Sequence, residues 1–303
     1  MRRLLTCAVL ALLCCGVPAA AQGSIDKVKV VASFSILADL VRNVGGDRVE
    51  VAVLVGRNGD SHAFEPTPAD SRRLAEARLV VVNGLGLEGW LDRLVRASGS
   101  QAPVAVASAG VRPRPGKLDE TRLYQDRAGV DPHAWQSVES VERYVANIRD
   151  ALIGIDPAGK AIYAANAGAY LKRLDALDQE IRRALATIPP ERRRIITSHD
   201  AFGYFADAYG IDFLAPAGLA NEAEPSARAV ARIIRRIEAD RIPALFLENV
   251  VDPRLIEAIA RETGARVGGT LYSDALTAPD GPAPTYLDLM RHNAQELAKA
   301  LGG

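Results

Sequence analysis

Apolar runs alternate with amphipathic segments along most of the chain. Val28–Phe34, Val49–Val55 and Leu79–Val82 are nearly continuous apolar runs, and segments with helical spacing follow the first two at 35–44 and 68–77. Strands of a parallel sheet show such continuous runs because helices cover both faces of the sheet. The pattern therefore predicts an α/β unit whose mainly parallel sheet is flanked by helices.

A long segment with helical spacing divides the chain. It begins near Asp156 and ends before Pro189, and at ~1.5 Å per residue it would form a helix about 45 Å long. The strand–helix alternation restarts beyond it, with strands predicted at 194–198, 213–214, 244–247 and 265–272. Two α/β lobes joined by one long rigid helix are therefore expected.

This pattern also predicts the domain organisation. The expected parts are a signal peptide at 1–21, an N-terminal α/β lobe at 22–155, a linking helix at 156–188 and a C-terminal α/β lobe at 189–303.

The first residues have the composition of an export signal. Arg2 and Arg3 precede an apolar run over 4–17, and small residues then end at Ala21. We expect cleavage after Ala21 and export to the periplasm, because a short positive start, a brief apolar core and small residues at the cleavage site define a secretory signal.

The cysteines raise one alternative to a released protein. All three, Cys7, Cys14 and Cys15, lie within the predicted signal peptide, so the mature chain would have no thiolate ligand and no disulfide. A lipid anchor on Cys14 or Cys15 is the competing interpretation. Leu12 and Leu13 lack the small residue that a lipoprotein signal normally places before its cysteine, so a released protein is the favoured interpretation.

The charges of the chain are balanced, with 37 basic and 37 acidic residues. Binding of nucleic acid or of an anionic membrane requires a basic excess, so we expect neither partner.

Histidine is the residue type that points to chemistry. Of the four histidines, His62, His133 and His199 lie in predicted loops, and Asp274 follows the last predicted strand. Carboxyl-terminal strand ends are where α/β sheets bind ligands, and imidazole with carboxylate suits zinc and related divalent metals. His292 lies within a predicted helix and is expected on its solvated face.

Each of these residues also has an ordinary interpretation. A loop histidine is usually solvated or supports a turn, His199 with Asp200 could cap a helix, and Asp274 could cap a turn. Spacing alone leaves both interpretations open.

Four motifs in order distinguish between them: His62-Ala63-Phe64-Glu65-Pro66-Thr67-Pro68, Asp131-Pro132-His133-Ala134-Trp135, Thr197-Ser198-His199-Asp200-Ala201-Phe202-Gly203-Tyr204-Phe205 and Leu271-Tyr272-Ser273-Asp274-Ala275-Leu276. Together they closely resemble the zinc/manganese-binding receptors of bacterial ABC-type metal importers, over essentially the whole mature chain.

The resemblance implies a monomeric, two-lobed periplasmic receptor with one metal ion in the inter-lobe cleft. The ligands would be His62, His133, His199 and Asp274. The metal would pass to a membrane permease, and a periplasmic metallochaperone is a second candidate partner. Members with histidine at the third position are mostly zinc receptors, whereas glutamate there favours manganese. His199 therefore predicts Zn²⁺ as the transported ligand, ahead of Mn²⁺.

The chain departs from many zinc members in one loop. Segment 110–129 has no histidine, so a metal-scavenging role for it is in doubt. Three carboxylates near the ligands, Glu65, Asp200 and Glu248, are candidates to orient the imidazoles.

A hydrolase is the alternative from a different class, with Glu65 as general base of a secreted zinc enzyme. The chain lacks a His-Glu-x-x-His helix, and four protein ligands would leave no open zinc position for water. We therefore expect no enzyme activity. A surface adhesin or a metallochaperone would share the same site, and the sequence leaves both open.

Overall fold

The computed structural model describes residues 26–116, 129–219 and 225–302. The predicted signal peptide and both cysteines of the anchor alternative lie outside these residues, as does most of the 110–129 loop.

The elements of the first part of the chain, up to the long helix, are β1 (Val28–Phe34), α1 (Ser35–Gly45), β2 (Val49–Val55), α2 (Pro68–Glu76), β3 (Leu79–Val82), α3 (Leu91–Ser98), β4 (Val104–Val106), β5 (Arg114–Pro115), β6 (Val130–Asp131) and α4 (Val138–Ile155). Strands β1 to β4 form a four-stranded parallel sheet in the order β2-β1-β3-β4.

The second part repeats this arrangement after the long helix. Its elements are α5 (Lys160–Ala186), β7 (Arg194–Ile196), α6 (Gly203–Tyr209), β8 (Asp212–Leu214), α7 (Ala227–Asp240), β9 (Ala244–Glu248), α8 (Arg254–Thr263), β10 (Arg266–Leu271) and α9 (Tyr286–Leu301). The sheet order is β10-β9-β7-β8, so its four strands in chain order occupy the same relative places as those of the first sheet. The prediction of an α/β fold with parallel sheets and a long helix is confirmed.

Helix α5 is a packed core element. Its 27 residues span about 40 Å. One stripe is buried at helical intervals: Tyr163, Ala167, Tyr170, Leu174, Leu177, Ile181 and Leu185. The helix packs against α1, α4 and α9, so helices from both ends of the chain hold α5 in place.

Two short helices are not delimited by the hydrophobic pattern. The segment after β3 turns before it becomes helical: Gly84, Leu85 and Gly86 all have positive φ, and α3 begins only at Leu91. Helix α6 was not predicted, since its seven residues are too few for a clear helical period. None of the described helices is long and apolar enough to cross a membrane.

Candidate metal centre

The structure brings the four predicted ligand residues together. His62 follows β2, His133 follows β6, His199 follows β7 and Asp274 follows β10, so each comes from a different loop. One ligand atom from each lies within 4.8 Å of the others. The Nε2 atoms of His62 and His133 are 3.1 Å apart, and the Asp274 carboxylate lies 3.3 Å from the Nε2 of His199.

The four side chains of this cluster are polar and yet almost fully buried, which is unusual for polar groups. His133, His199 and Asp274 are completely buried, and the side chain of His62 is only 6% exposed. Neither carboxylate oxygen of Asp274 has a well-formed hydrogen bond within the described parts of the chain. A buried carboxylate without such partners is costly unless a cation compensates it. Three imidazole nitrogens and one carboxylate oxygen fit a divalent transition metal.

A carboxylate two residues away orients His133. Asp131 Oδ1 accepts a hydrogen bond from the His133 backbone N–H at 3.0 Å and lies 2.8 Å from the Nδ1 of the ring. This contact favours the proton on Nδ1 and leaves the Nε2 lone pair facing the centre of the cluster, as a metal ligand requires.

Glu248, the last residue of β9, orients the imidazole of His199 in a similar way. One of its oxygens accepts hydrogen bonds from the backbone N–H groups of Ser198, at 2.7 Å, and His199, at 2.9 Å. The other lies 2.7 Å from the Nδ1 of His199. Strands β7 and β9 are adjacent in the sheet, which is why the end of β9 reaches the loop after β7.

His62 is held mainly through its backbone. Its N–H donates to Asp60 at 2.8 Å, and Trp90 Nε1 donates to the carbonyl of Ser61 at 3.0 Å. Phe64 packs against Trp90 with ring centroids 4.7 Å apart. Among the described residues no carboxylate contacts the Nδ1 of His62, in contrast to the other two imidazoles.

The segment that carries His133 also positions Asp274. Trp135 Nε1 and Gln136 Nε2 donate to the carbonyl of Ser273, at 2.8 and 2.7 Å. The hydroxyl of Tyr286 donates to the carbonyl of Trp135 at 2.9 Å. Asp274 in the second half of the chain is therefore located by residues of the first half.

The charges at the centre act on each other strongly. Burial alone would lower the pKa of the His199 imidazole, but the Glu248 and Asp274 carboxylates hold it well above its usual value. Burial alone would raise the pKa of Asp274, but His199 and His133 hold it well below its usual value. The raised pKa favours the protonated form of His199, whose positive charge would offset part of the negative charge of Glu248 and Asp274.

The sequence was less informative about the residues that orient the candidate ligands. Of the three expected carboxylates, only Glu248 contacts an imidazole; Glu65 is exposed, and the described contacts of Asp200 do not include one. Asp131 was not expected in this role, although its position two residues before His133 was a usable signal. His292 lies outside the cluster, with its Nε2 3.0 Å from the carbonyl of Thr270.

Comparison with known proteins agrees with this geometry. The manganese-binding lipoprotein MntA of Halalkalibacterium halodurans is 35% identical over 296 residues, covering 97% of this chain and 96% of that protein. The iron-binding protein YfeA of Yersinia pestis is 35% identical over 278 residues, covering 91% and 87%. The structure of the periplasmic zinc-binding protein TroA from Treponema pallidum is similar with a TM-score of 0.82 and 29% identity, covering 91% of this chain and 99% of that one.

A family profile matches residues 30–300, which is nearly all of the described chain. The resemblance inferred from the four motifs is thereby confirmed: the chain belongs to the family described as zinc-uptake complex component A, periplasmic.

Proposed function

We propose that this protein is the receptor that binds Zn²⁺ outside the cytoplasmic membrane and delivers it to the permease of an ABC importer. Membership of the family supports the coarser role of a metal-binding substrate receptor. The observation that carries the proposal is the convergence of His62, His133, His199 and Asp274 at one buried point. We assign all four as ligands of the cargo metal.

The donor set supports zinc as the cargo. Three imidazole nitrogens and one carboxylate oxygen would complete a tetrahedral zinc site, whereas manganese prefers more oxygen ligands and binds nitrogen-rich sites more weakly. The relatives are named for manganese, iron and zinc, so the assignment rests on the ligands of this chain rather than on their names.

The hydrolase alternative finds no support. Glu65, its proposed general base, is exposed, and no described contact brings its carboxylate to the ligand cluster. Four protein ligands also close the zinc site, and catalytic zinc needs an open position for water.

The location of the protein needs one revision. Several relatives are named lipoproteins, which favours the anchor on Cys14 or Cys15 over the released form that the sequence favoured. We propose an exported protein in either case. Replacing both cysteines by serine distinguishes the two: an anchored protein moves from the membrane to the soluble fraction, and a released protein does not change.

Metal analysis tests the cargo. Purified from its own cells, the protein is expected to contain one zinc per chain, and competition between zinc and manganese is expected to favour zinc. His199→Ala is expected to lose the metal. His292→Gln, which changes a histidine outside the cluster, is expected to retain it. Bound manganese would change the cargo and keep the receptor; absence of metal under all loading conditions would refute the proposal.

Growth tests the delivery step. Cells that lack the gene are expected to grow poorly in zinc-chelated medium and to recover with the wild-type gene but not with His199→Ala. Recovery with His199→Ala would show that transport does not depend on this metal centre.

A further inference from the structure

One arginine lies behind the metal centre and contacts both halves of the chain. Arg114 in β5 is directly opposite Asp131 in β6, because the two short strands pair antiparallel. Its Nη1 lies 3.4 Å from Asp131 Oδ2, and its Nε donates to Asp207 in α6 at 2.8 Å. Its backbone N–H donates to the hydroxyl of Tyr204, also in α6, at 3.0 Å.

These contacts connect α6 to a ligand imidazole. Asp131 uses Oδ2 toward Arg114 and Oδ1 toward the Nδ1 of His133. The Asp131 side chain is completely buried, and that of Arg114 is only 16% exposed. A buried carboxylate is costly without a compensating charge, and Arg114 supplies that charge from the side away from the metal.

The packing at this point leaves no spare room. Gly203, the first residue of α6, lies so close to Arg114 and Asp131 that a Cβ atom built on it would clash with both side chains. Its φ is not in the left-handed region, so the requirement for glycine there is steric. The arginine, the carboxylate and the start of α6 therefore form one tightly packed unit, and α6 begins four residues after His199.

We propose that Arg114 is a positioning residue for metal binding. It fixes the orientation of the Asp131 carboxylate, so that His133 keeps its proton on Nδ1 and presents Nε2 to the metal. Its bonds to Asp207 and Tyr204 are a separate contact between the two halves of the chain. The metal-affinity part of this inference rests on the proposed function, whereas the orientation of His133 can be measured without metal.

The test compares Arg114→Gln with a neighbouring control, Arg112→Gln. Arg112 is exposed and lies in the same short segment, and its described contacts do not include Asp131. Zinc affinity is measured by competition with a chelator, and the tautomer of His133 is measured by ¹⁵N NMR of the metal-free protein. Arg114→Gln is expected to weaken zinc binding by up to about ten-fold, the lower end of the effect of removing a direct outer partner of a metal ligand, because Arg114 acts through Asp131. It is also expected to reduce the Nδ1–H form of His133, while Arg112→Gln changes neither.

Further variants separate the effect of Arg114 on Asp131 from its contact with α6. Arg114→Lys keeps the charge and is expected to restore part of the affinity and of the Nδ1–H form. Asp207→Asn weakens only the contact with α6 and is expected to leave the tautomer unchanged. If Arg114→Gln does not fold, Gly203→Ala disturbs the same contact without removing a charge and is expected to shift the tautomer.

Two results would overturn the inference. One is wild-type zinc affinity and an unchanged His133 tautomer in Arg114→Gln or, if that variant does not fold, in Gly203→Ala. The other is an equal loss of affinity in Asp207→Asn and Arg114→Gln with no tautomer change, which would reduce Arg114 to a lobe contact. Absence of zinc binding by the wild-type protein would refute the proposed function instead, and the NMR measurement would still decide the role of Arg114.

Discussion

Replacing Glu248 by glutamine tests whether the carboxylate behind His199 controls metal binding. The change keeps the shape of the side chain and leaves one oxygen to accept from the Ser198 and His199 backbone N–H groups. The other oxygen, 2.7 Å from the Nδ1 of His199, is replaced by an amide nitrogen that donates hydrogen bonds. An N–H facing Nδ1 favours the proton on Nε2, which is the atom that must bind the metal.

The expected loss of zinc affinity follows from these opposing requirements on the position of the His199 proton. Either the metal binds the disfavoured tautomer of His199, or the new side-chain amide rotates and gives up both backbone hydrogen bonds. Loss of such an outer partner typically weakens metal binding about 10- to 100-fold. That range corresponds to about 1.4–2.7 kcal/mol of binding free energy.

The assay is a zinc titration against a competing chelator at neutral pH, combined with thermal unfolding of the metal-free protein. Glu238→Gln, at an exposed position of α7 in the same half of the chain, is the matched control and is expected to bind zinc like the wild type. A Glu248→Gln variant that folds normally and binds zinc within about twofold of the wild type would refute the reasoning, since the 2.7 Å contact would then have no influence on the ligand.

Three further predictions concern other parts of the molecule. His62→Ala is expected to weaken zinc binding less than His133→Ala, because His133→Ala also leaves the buried carboxylate of Asp131 without its imidazole partner, whereas the described contacts of His62 include no such carboxylate at Nδ1; equal losses in chelator titrations would contradict this. Trp135→Phe removes the hydrogen bond to the Ser273 carbonyl and is expected to raise the zinc dissociation rate, measured by stopped-flow with a chelator; an unchanged rate would show that Gln136 alone holds the loop. Burial raises the pKa of Asp39 above its usual 3.8, so the native chain binds that proton more tightly than the unfolded chain. The free energy of unfolding is therefore expected to fall as the pH rises from about 3.8 to the higher pKa that Asp39 has in the native chain. Urea titrations of Asp39→Asn over this pH range are expected to lack this decrease in the free energy of unfolding.

The sequence determined the elements that depend on local pattern. Strand β2 begins and ends where its apolar run does, and helix α2 begins at Pro68 after a threonine that forms a capping box with Asp70. Both signals lie within a few residues of the element that they define. The motifs likewise identified the four residues that the fold brings together, because each motif is a short contiguous segment.

The contacts that orient those four residues depend on the tertiary structure. Glu248 is 49 residues from His199, Trp135 is 138 residues from Ser273, and the side chain of Arg114 reaches Asp207 across 93 residues. Such pairs have no common period and no fixed spacing in the sequence. The Glu248–His199 pair exists because the parallel strands β9 and β7 place their carboxyl ends at one edge of their sheet. The other two pairs exist because the two halves of the chain pack against each other, with α5 and α9 between them. The four candidate ligand residues were therefore readable from the chain alone, whereas their orientation, burial and charge compensation depend on how the two halves pack.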